Sequence, residues 1–140
     1  MILTLKVTLI YGPYANDWEG VFEIDSSSPL EELRYAIQKT VDFDDDHLYE
    51  FYMARSVRSR KRTRIDDNIE SFHEVYLKDI FPLPDRQTLF YLYDFGDYWT
   101  FKITKTRAKM HEPNPDLEYP RLILESGKRP VQYPSTTEEW

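Results

Sequence analysis

Three side chains in this sequence have the types and positions that could form a polar site. His47 precedes an aromatic stretch, and Asp94 and Asp97 flank the turn segment Asp94-Phe95-Gly96-Asp97. A histidine beside two carboxylates can exchange protons near neutral pH or hold a cation through nitrogen and oxygen atoms. If the fold brings these side chains together at one edge of a sheet, they predict an enzyme or a cation-binding protein.

The same turn also has a purely structural interpretation. Glycine adopts a positive φ without steric cost, and aspartate side chains accept hydrogen bonds from nearby backbone amides. Gly96 would then supply the positive φ, while Asp94 and Asp97 would bond to backbone amides. On turn chemistry alone, this structural role is what we expect of the segment.

A second candidate site is the basic tip, defined here as residues 55–64. The segment contains six basic residues and no acidic residue: Arg55, Arg58, Arg60, Lys61, Arg62 and Arg64. Since the whole chain has a net charge of -7, the remainder carries -13. In a hairpin, Arg58, Arg60, Arg62 and Arg64 would line one face, which suits a phosphate backbone or an acidic protein surface. The alternative is a solvated loop that folds back on the protein's own carboxylates.

Other classes of site are excluded by what the chain lacks. It has no cysteine, which rules out disulfides, thiolate zinc sites and cysteine nucleophiles. Its sequence has no Walker loop, Rossmann fingerprint or nucleophile elbow. We therefore predict no cofactor, no metal and no catalytic residue, and a protein that binds without catalysing a reaction.

Hydrophobic periodicity predicts the elements that position these residues. Residues 2–10 and 18–24 alternate between apolar and polar side chains and predict a hairpin. A helix follows, with Ser28 as its predicted cap, Pro29 at its first position and Glu31 completing a capping box. Its buried face is predicted from apolar residues at helical spacing: Leu30, Leu33, Ile37 and Val41. An acidic run at residues 42–46 is expected to end it.

Further strands are predicted at residues 47–54, 89–93 and 99–106, with one or two helical turns within 68–81. Four aromatic residues alternate on the last two strands, which is more typical of a core than of a base-stacking platform: Tyr91, Tyr93, Trp99 and Phe101. Hairpin, helix, strand and hairpin in this order predict an α+β, β-grasp-like fold. A mainly antiparallel sheet would be covered on one face by the helix.

The length of 140 residues suits one domain, which we place at residues 1–109. Residues 110–140 are predicted to be a proline-rich, partly docked tail, with structure only at 121–124. The N-terminus lacks the features of a signal peptide, and no apolar run is long enough to cross a bilayer. We therefore expect a cytoplasmic protein without membrane contact.

Two motifs taken together resemble a known family. They are HLYEF at residues 47–51 and YLYDFGDYW at residues 91–99, preceded by the strand LTLKVTLI and the segment LKDIFP. In order and spacing they are similar to the plasmid pRiA4b ORF-3-like family. The resemblance implies an α+β fold and, because some members are passengers of insertion elements, an accessory role linked to mobile genetic elements. Phe101 stands where many relatives carry histidine, and the C-terminal end lacks the relatives' proline–acidic segment.

Three functions follow from these observations. The first is a non-enzymatic binding or accessory module with a protein partner. The second is a nucleic-acid-binding accessory that uses the basic tip, although the acidic average charge opposes it. The third is an enzyme or cation-binding protein with a site at His47, Asp94 and Asp97. Exposure of the basic tip is the property that separates the first two, and the sequence leaves the oligomeric state open.

Overall fold

The computed structural model describes residues 1–12, 17–65 and 74–132. Within these ranges the chain forms seven strands and two helices. In chain order they are β1 (Ile2–Tyr11), β2 (Glu19–Asp25), α1 (Leu30–Val41), β3 (Tyr49–Ala54), β4 (Arg62–Ile65), α2 (Leu77–Ile80), β5 (Thr88–Tyr93), β6 (Trp99–Lys105) and β7 (Arg121–Ser126).

The strands form one sheet in the order β4-β3-β5-β6-β1-β2-β7. Every strand pairing in the described ranges is antiparallel. β1 lies inside the sheet between β2 and β6, and β4 and β7 form the two edges. The predicted α+β class with a mainly antiparallel sheet is confirmed, whereas this strand order does not confirm the finer β-grasp-like assignment.

α1 begins at Leu30 with Pro29 as its N-cap and has no side-chain cap hydrogen bond. The predicted capping box of Ser28 and Glu31 is therefore wrong. The Ser28 carbonyl instead accepts a 3.0 Å hydrogen bond from the first amide of α2, and the Leu30 amide donates to the carbonyl of Val75 at 2.8 Å. Backbone groups from the α2 region thus satisfy the helix start, so the serine hydroxyl is not needed there.

The C-terminal end of α1 agrees with the sequence. Asp42 is the C-cap with φ 57°, and its amide bonds back to the last turn. Aspartate tolerates this left-handed conformation better than most residues. The prediction that the acidic run ends the helix is confirmed.

The predicted apolar faces meet in one main core between α1 and the sheet. On α1 the residues Leu30, Leu33 and Ile37 are fully buried, which fits the predicted helical face. The aromatic stripe of β5 and β6 is also fully buried, as expected of a core: Tyr91, Tyr93, Trp99 and Phe101. A smaller cluster of Tyr52, Ala54 and Phe90 lies on the opposite face of the sheet.

β7 lies within the range predicted as a partly docked tail, and it docks as an edge strand beside β2. Gln132 is also held, because its side-chain carbonyl accepts a 2.6 Å hydrogen bond from the Asp44 amide. Predictions for residues 66–73 and 133–140 lie outside the described residues. The domain boundary near residue 109 stays a prediction.

Neither of the two helices in the described ranges has the length and apolar character needed to cross a bilayer.

Candidate functional site

Sheet register brings the two sequence motifs together. Tyr49, at the start of β3, pairs with Tyr93, at the end of β5. The residues just outside this pair therefore meet, and the Asp94 amide donates a 2.9 Å hydrogen bond to the Leu48 carbonyl. His47 and the Asp94 turn consequently share one end of the sheet, as the polar-site hypothesis requires.

The polar group at this end contains His47 and Asp94, with Asp46 as an additional member. His47 Nε2 lies 3.6 Å from Asp94 Oδ2 and 3.4 Å from Asp46 Oδ1. The Asp94 side chain is only 9% exposed, whereas that of His47 is 36% exposed. Asp97 joins through its backbone amide, which lies 3.4 Å from Asp94 Oδ1. The three predicted residues, His47, Asp94 and Asp97, are therefore close together. Asp97 contacts Asp94 through its backbone amide and not through its carboxylate.

Asp94 performs the turn chemistry predicted for it. Its Oδ1 accepts hydrogen bonds from the amides of Gly96 at 3.0 Å and Asp97 at 3.4 Å, and its carbonyl accepts one from Tyr98 at 2.6 Å. The positive φ values belong to Asp94 (65°) and Tyr98 (57°), so the prediction that Gly96 supplies a positive φ is wrong. A Cβ on Gly96 would lie 3.3 Å from Asp94 Oδ1, so glycine allows the carboxylate to approach closely.

Cation binding gains no support from this geometry. Across the described ranges, no three histidine, cysteine, aspartate or glutamate side chains are arranged to hold a metal ion. One oxygen of Asp94 is already occupied by two amides. His47 and Asp94 thus lie side by side where β3 and β5 meet.

We predict that Asp94→Ala lowers the free energy of unfolding by about 2 kcal/mol. Alanine removes the acceptor of two amides and also disfavours the left-handed backbone at φ 65°. Asp94→Asn keeps both properties and should cost less than about 1 kcal/mol, while Asp94→Gly should fall between the two. Urea unfolding followed by circular dichroism measures this order. An asparagine variant as unstable as the alanine variant would contradict the turn role and indicate that the negative charge itself is needed.

The basic tip is built differently from the predicted row of four arginines. β4 begins only at Arg62, so Arg58 and Arg60 lie in the connection between β3 and β4 rather than on a strand. Arg62 bonds to the carbonyls of Ser59 (3.0 Å) and Val57 (3.1 Å) and lies 4.1 Å from the centre of the Tyr52 ring. Arg62 thus stabilises the loop itself. The prediction that four alternating arginines share one face is wrong.

The remaining basic residues differ in their availability. Arg64 Nε lies 3.6 Å from a carboxylate oxygen of Glu50, and the side chain of Arg64 is 65% exposed whereas that of Glu50 is 16% exposed. The other four are exposed and have no ion pair within the described ranges: Arg55, Arg58, Arg60 and Lys61. The basic tip therefore presents four available cations, and the hypothesis of a loop neutralised by the protein's own carboxylates applies to Arg64 alone.

A cleft of about 710 Å³ opens beside the basic tip. Arg55, Lys61 and Arg62 line it together with the hydroxyls of Ser59 and Thr63, and the turn before β5 contributes one acidic and two neutral residues: Pro84, Asp85 and Gln87. Cations with hydroxyl and amide donors suit an anionic segment. The sequence alone did not indicate this cleft, because the 84–87 wall is about twenty positions away from the tip in the chain and reaches it through β3–β5 pairing.

The fold and its two adjoining motifs define an α+β protein with an antiparallel sheet and one main covering helix. A family model described as plasmid pRiA4b ORF-3-like protein matches residues 2–132. The chain therefore belongs to this family, and the resemblance inferred from the motifs is confirmed.

No curated protein matches this chain. Among solved structures, it is similar to the crystal structure of a protein of unknown function, MM3350, from Methanosarcina mazei Go1. The TM-score is 0.71 at 25% sequence identity, and the match covers 93% of this chain and 71% of that one. The comparison supports the fold, and it indicates no activity because the function of the similar protein is itself described as unknown.

Proposed function

We propose that this protein is a non-enzymatic accessory module whose basic tip binds an acidic segment of a partner protein. The observation that carries the proposal is the exposure of Arg55, Arg58, Arg60 and Lys61 without ion pairs in the described ranges, on a body of charge -13. Exposed, unpaired cations attract anions and accelerate their encounter. The adjacent cleft supplies walls against which an extended acidic peptide can lie.

An acidic protein segment suits this surface better than nucleic acid does. Proteins that bind single strands commonly stack bases on exposed aromatic rings. Here the aromatic stripe of β5 and β6 is fully buried, and Tyr52, next to the basic tip, is only 2% exposed. The acidic body would also repel the phosphates that extend beyond a short contact. Nucleic acid remains the alternative ligand.

The proposal includes a cytoplasmic location, which fits a chain without cysteine. It also includes an accessory role on a mobile genetic element, supported only by the plasmid open reading frame in the family's description. The binding test does not depend on the cytoplasmic location or on the link to a mobile genetic element.

The test is fluorescence anisotropy with a labelled oligoglutamate peptide. We expect salt-sensitive binding that the tip variant, in which Arg55, Arg58, Arg60 and Lys61 become alanine, weakens by at least about tenfold. A matched control removes the same number of charges from exposed lysines elsewhere: Lys102, Lys105, Lys109 and Lys128. The control variant should bind nearly as well as the unmodified protein.

Equal weakening in the tip and control variants would overturn the proposal, because the net charge alone would then explain binding. Absence of oligoglutamate binding at low salt would also overturn it. Single- and double-stranded DNA and RNA of matched length are titrated in parallel. Tighter, tip-dependent binding of any of them would replace the acidic protein segment with nucleic acid.

A further inference from the structure

A second surface lies at the opposite end of β3 from the basic tip. We call it the acidic end, defined as residues 44–48 and 94–98. Three large apolar side chains are exposed there: Leu48 (67%), Tyr98 (51%) and Phe95 (41%). Exposed aromatic residues grouped at one place commonly mark an interaction surface.

The backbone of this end holds these side chains away from the core. Asp94 and Tyr98, both with positive φ, begin and close the turn, and the Tyr98 amide bonds to the Asp94 carbonyl. The core positions on either side are already filled by the fully buried Tyr93 and Trp99. Phe95 and Tyr98 therefore have no place in the core, and their exposure is a fixed feature of the turn.

The acidic end also carries carboxylates. Asp44 and Asp46 are exposed, and Asp97 is partly exposed. The first two lie in a loop that the Tyr93 hydroxyl fixes through the Asp44 carbonyl and the Asp46 side chain. Burial raises the pKa of Tyr93, so this hydroxyl stays protonated and continues to donate. The surface therefore combines negative charge with aromatic rings on a fixed backbone.

Aromatic rings beside carboxylates are complementary to arginine. Guanidinium groups stack on aromatic faces while they donate hydrogen bonds to carboxylates. The chain already uses this pairing internally, because Arg34 lies 4.0 Å from the centre of the Tyr49 ring and bonds to Asp45 at 2.6 Å. The basic tip offers exposed arginines of the same kind.

One molecule cannot join these two surfaces to each other. β3 runs from Tyr49 to Ala54, with the acidic end before it and the basic tip after it. Six extended residues separate the surfaces by about 20 Å. Any contact between the two surfaces would therefore have to form between two molecules.

We propose that the basic tip of one copy docks on the acidic end of a second copy, so that the chain associates head to tail. This inference rests on the proposed function and names the acidic partner as another copy of this chain. Two different surfaces meet in such a contact, so a pair of copies keeps one unused tip and one unused end, and larger assemblies form as the concentration rises. The attraction is mainly between exposed charges and weakens as salt rises.

Sedimentation velocity over a concentration series tests the inference, at about 50 mM and about 500 mM salt. The unmodified protein should grow in mass with concentration at the lower salt and stay a monomer at the higher salt. The tip variant defined above and an end variant (Phe95→Ala, Asp97→Asn, Tyr98→Asn) should each raise the dissociation constant at least about tenfold. Asparagine at position 98 tolerates the left-handed backbone, and circular dichroism checks that the end variant folds.

Sedimentation velocity of the two variants mixed in equal amounts is the most informative experiment. The tip variant keeps its acidic end and the end variant keeps its basic tip, so the mixture should form one-to-one dimers and no larger species.

A monomer under every condition would overturn the inference, and so would a symmetric dimer that both variants form unchanged. If oligoglutamate still binds the tip of a strictly monomeric protein, the proposed function stands and the partner is a different protein. If an arginine-rich peptide binds the acidic end of that monomer, the ligand of the acidic end is a different basic protein and not a second copy of this chain.

Discussion

Replacing Phe101 with alanine is expected to lower the free energy of unfolding by about 4 kcal/mol, because it leaves a cavity in the main core. Phe101 is fully buried on β6. Its ring stacks on Tyr91 at 5.9 Å between centroids and meets Trp18 edge to face at 6.1 Å. Phe43 adds a third ring contact at 6.4 Å. Loss of the ring thus removes three contacts: to Tyr91 on β5, to Trp18 just before β2, and to Phe43 just after α1.

Urea unfolding followed by circular dichroism measures this loss. Phe101→Leu keeps most of the apolar volume and should cost less than half as much. Phe101→His is the informative variant, because it places an ionisable side chain at a fully buried position. In this chain the imidazole would enter an aromatic core, where burial depresses the pKa of histidine. Stability of the histidine variant should therefore fall further as pH drops below about 6.5, whereas the leucine variant should not show this dependence.

A histidine variant as stable as the unmodified protein at every pH would show that position 101 borders solvent rather than the core.

The second large effect concerns the pair of Arg34 and Asp45, where the two partners should respond unequally. Two hydrogen bonds of 2.6 and 3.1 Å join them, and the Arg34 guanidinium also lies over the rings of Tyr35 and Tyr49. The side chain of Arg34 is 4% exposed and that of Asp45 is 47% exposed. Burial by itself lowers the pKa of Arg34, but the hydrogen bonds of Asp45 and the interactions with Tyr91 and Tyr49 together more than offset it and raise the pKa above its ordinary value. Arg34 therefore stays charged.

Asp45→Asn is expected to cost about 2 kcal/mol, since it leaves a buried cation without its carboxylate. This figure lies below the usual cost of breaking a buried pair because Asp45 is half in solvent and its charge is screened. Arg34→Met should cost only about 1 kcal/mol, because methionine keeps the stem's apolar contacts and Asp45 can be hydrated. Added to the Arg34→Met protein, Asp45→Asn should have almost no further effect. A larger loss from Arg34→Met than from Asp45→Asn would contradict the assignment of Arg34 as the buried partner.

β1 and β2 were predictable because one face of each is buried, whereas β4, which contains no buried residue, was not predicted as a strand. Alternation along residues 2–10 and 18–24 fixes which side chains enter the core, and the structure keeps that assignment. The start of α1 was not predictable in detail, since the groups that satisfy it come from Val75 and α2, which are distant in the chain. Local sequence favours a serine cap, and a tertiary contact replaces it.

The candidate sites were predictable only in part for the same reason. The motif residues His47 and Asp94 do meet, because β3 pairs with β5 in a register that places them side by side. The basic tip was visible as a charge pattern, but the available cations depend on where β4 starts and on the bonds of Arg62 to Val57 and Ser59. The exposed Leu48, Phe95 and Tyr98 could have been suspected, since large apolar residues are unusual in a polar turn.

The internal position of β1, between β2 and β6, has a consequence for how the chain folds during synthesis. β1 is synthesised before the other six strands of the described ranges and can pair with β2 soon afterwards, but its other neighbour, β6, is made about ninety residues later. Until then the backbone groups on one edge of β1 lack the partners that β6 supplies. Such distant pairings slow folding and expose strand edges to wrong partners. We therefore expect a chain truncated before β6 to be more prone to aggregation and proteolysis than the complete sheet.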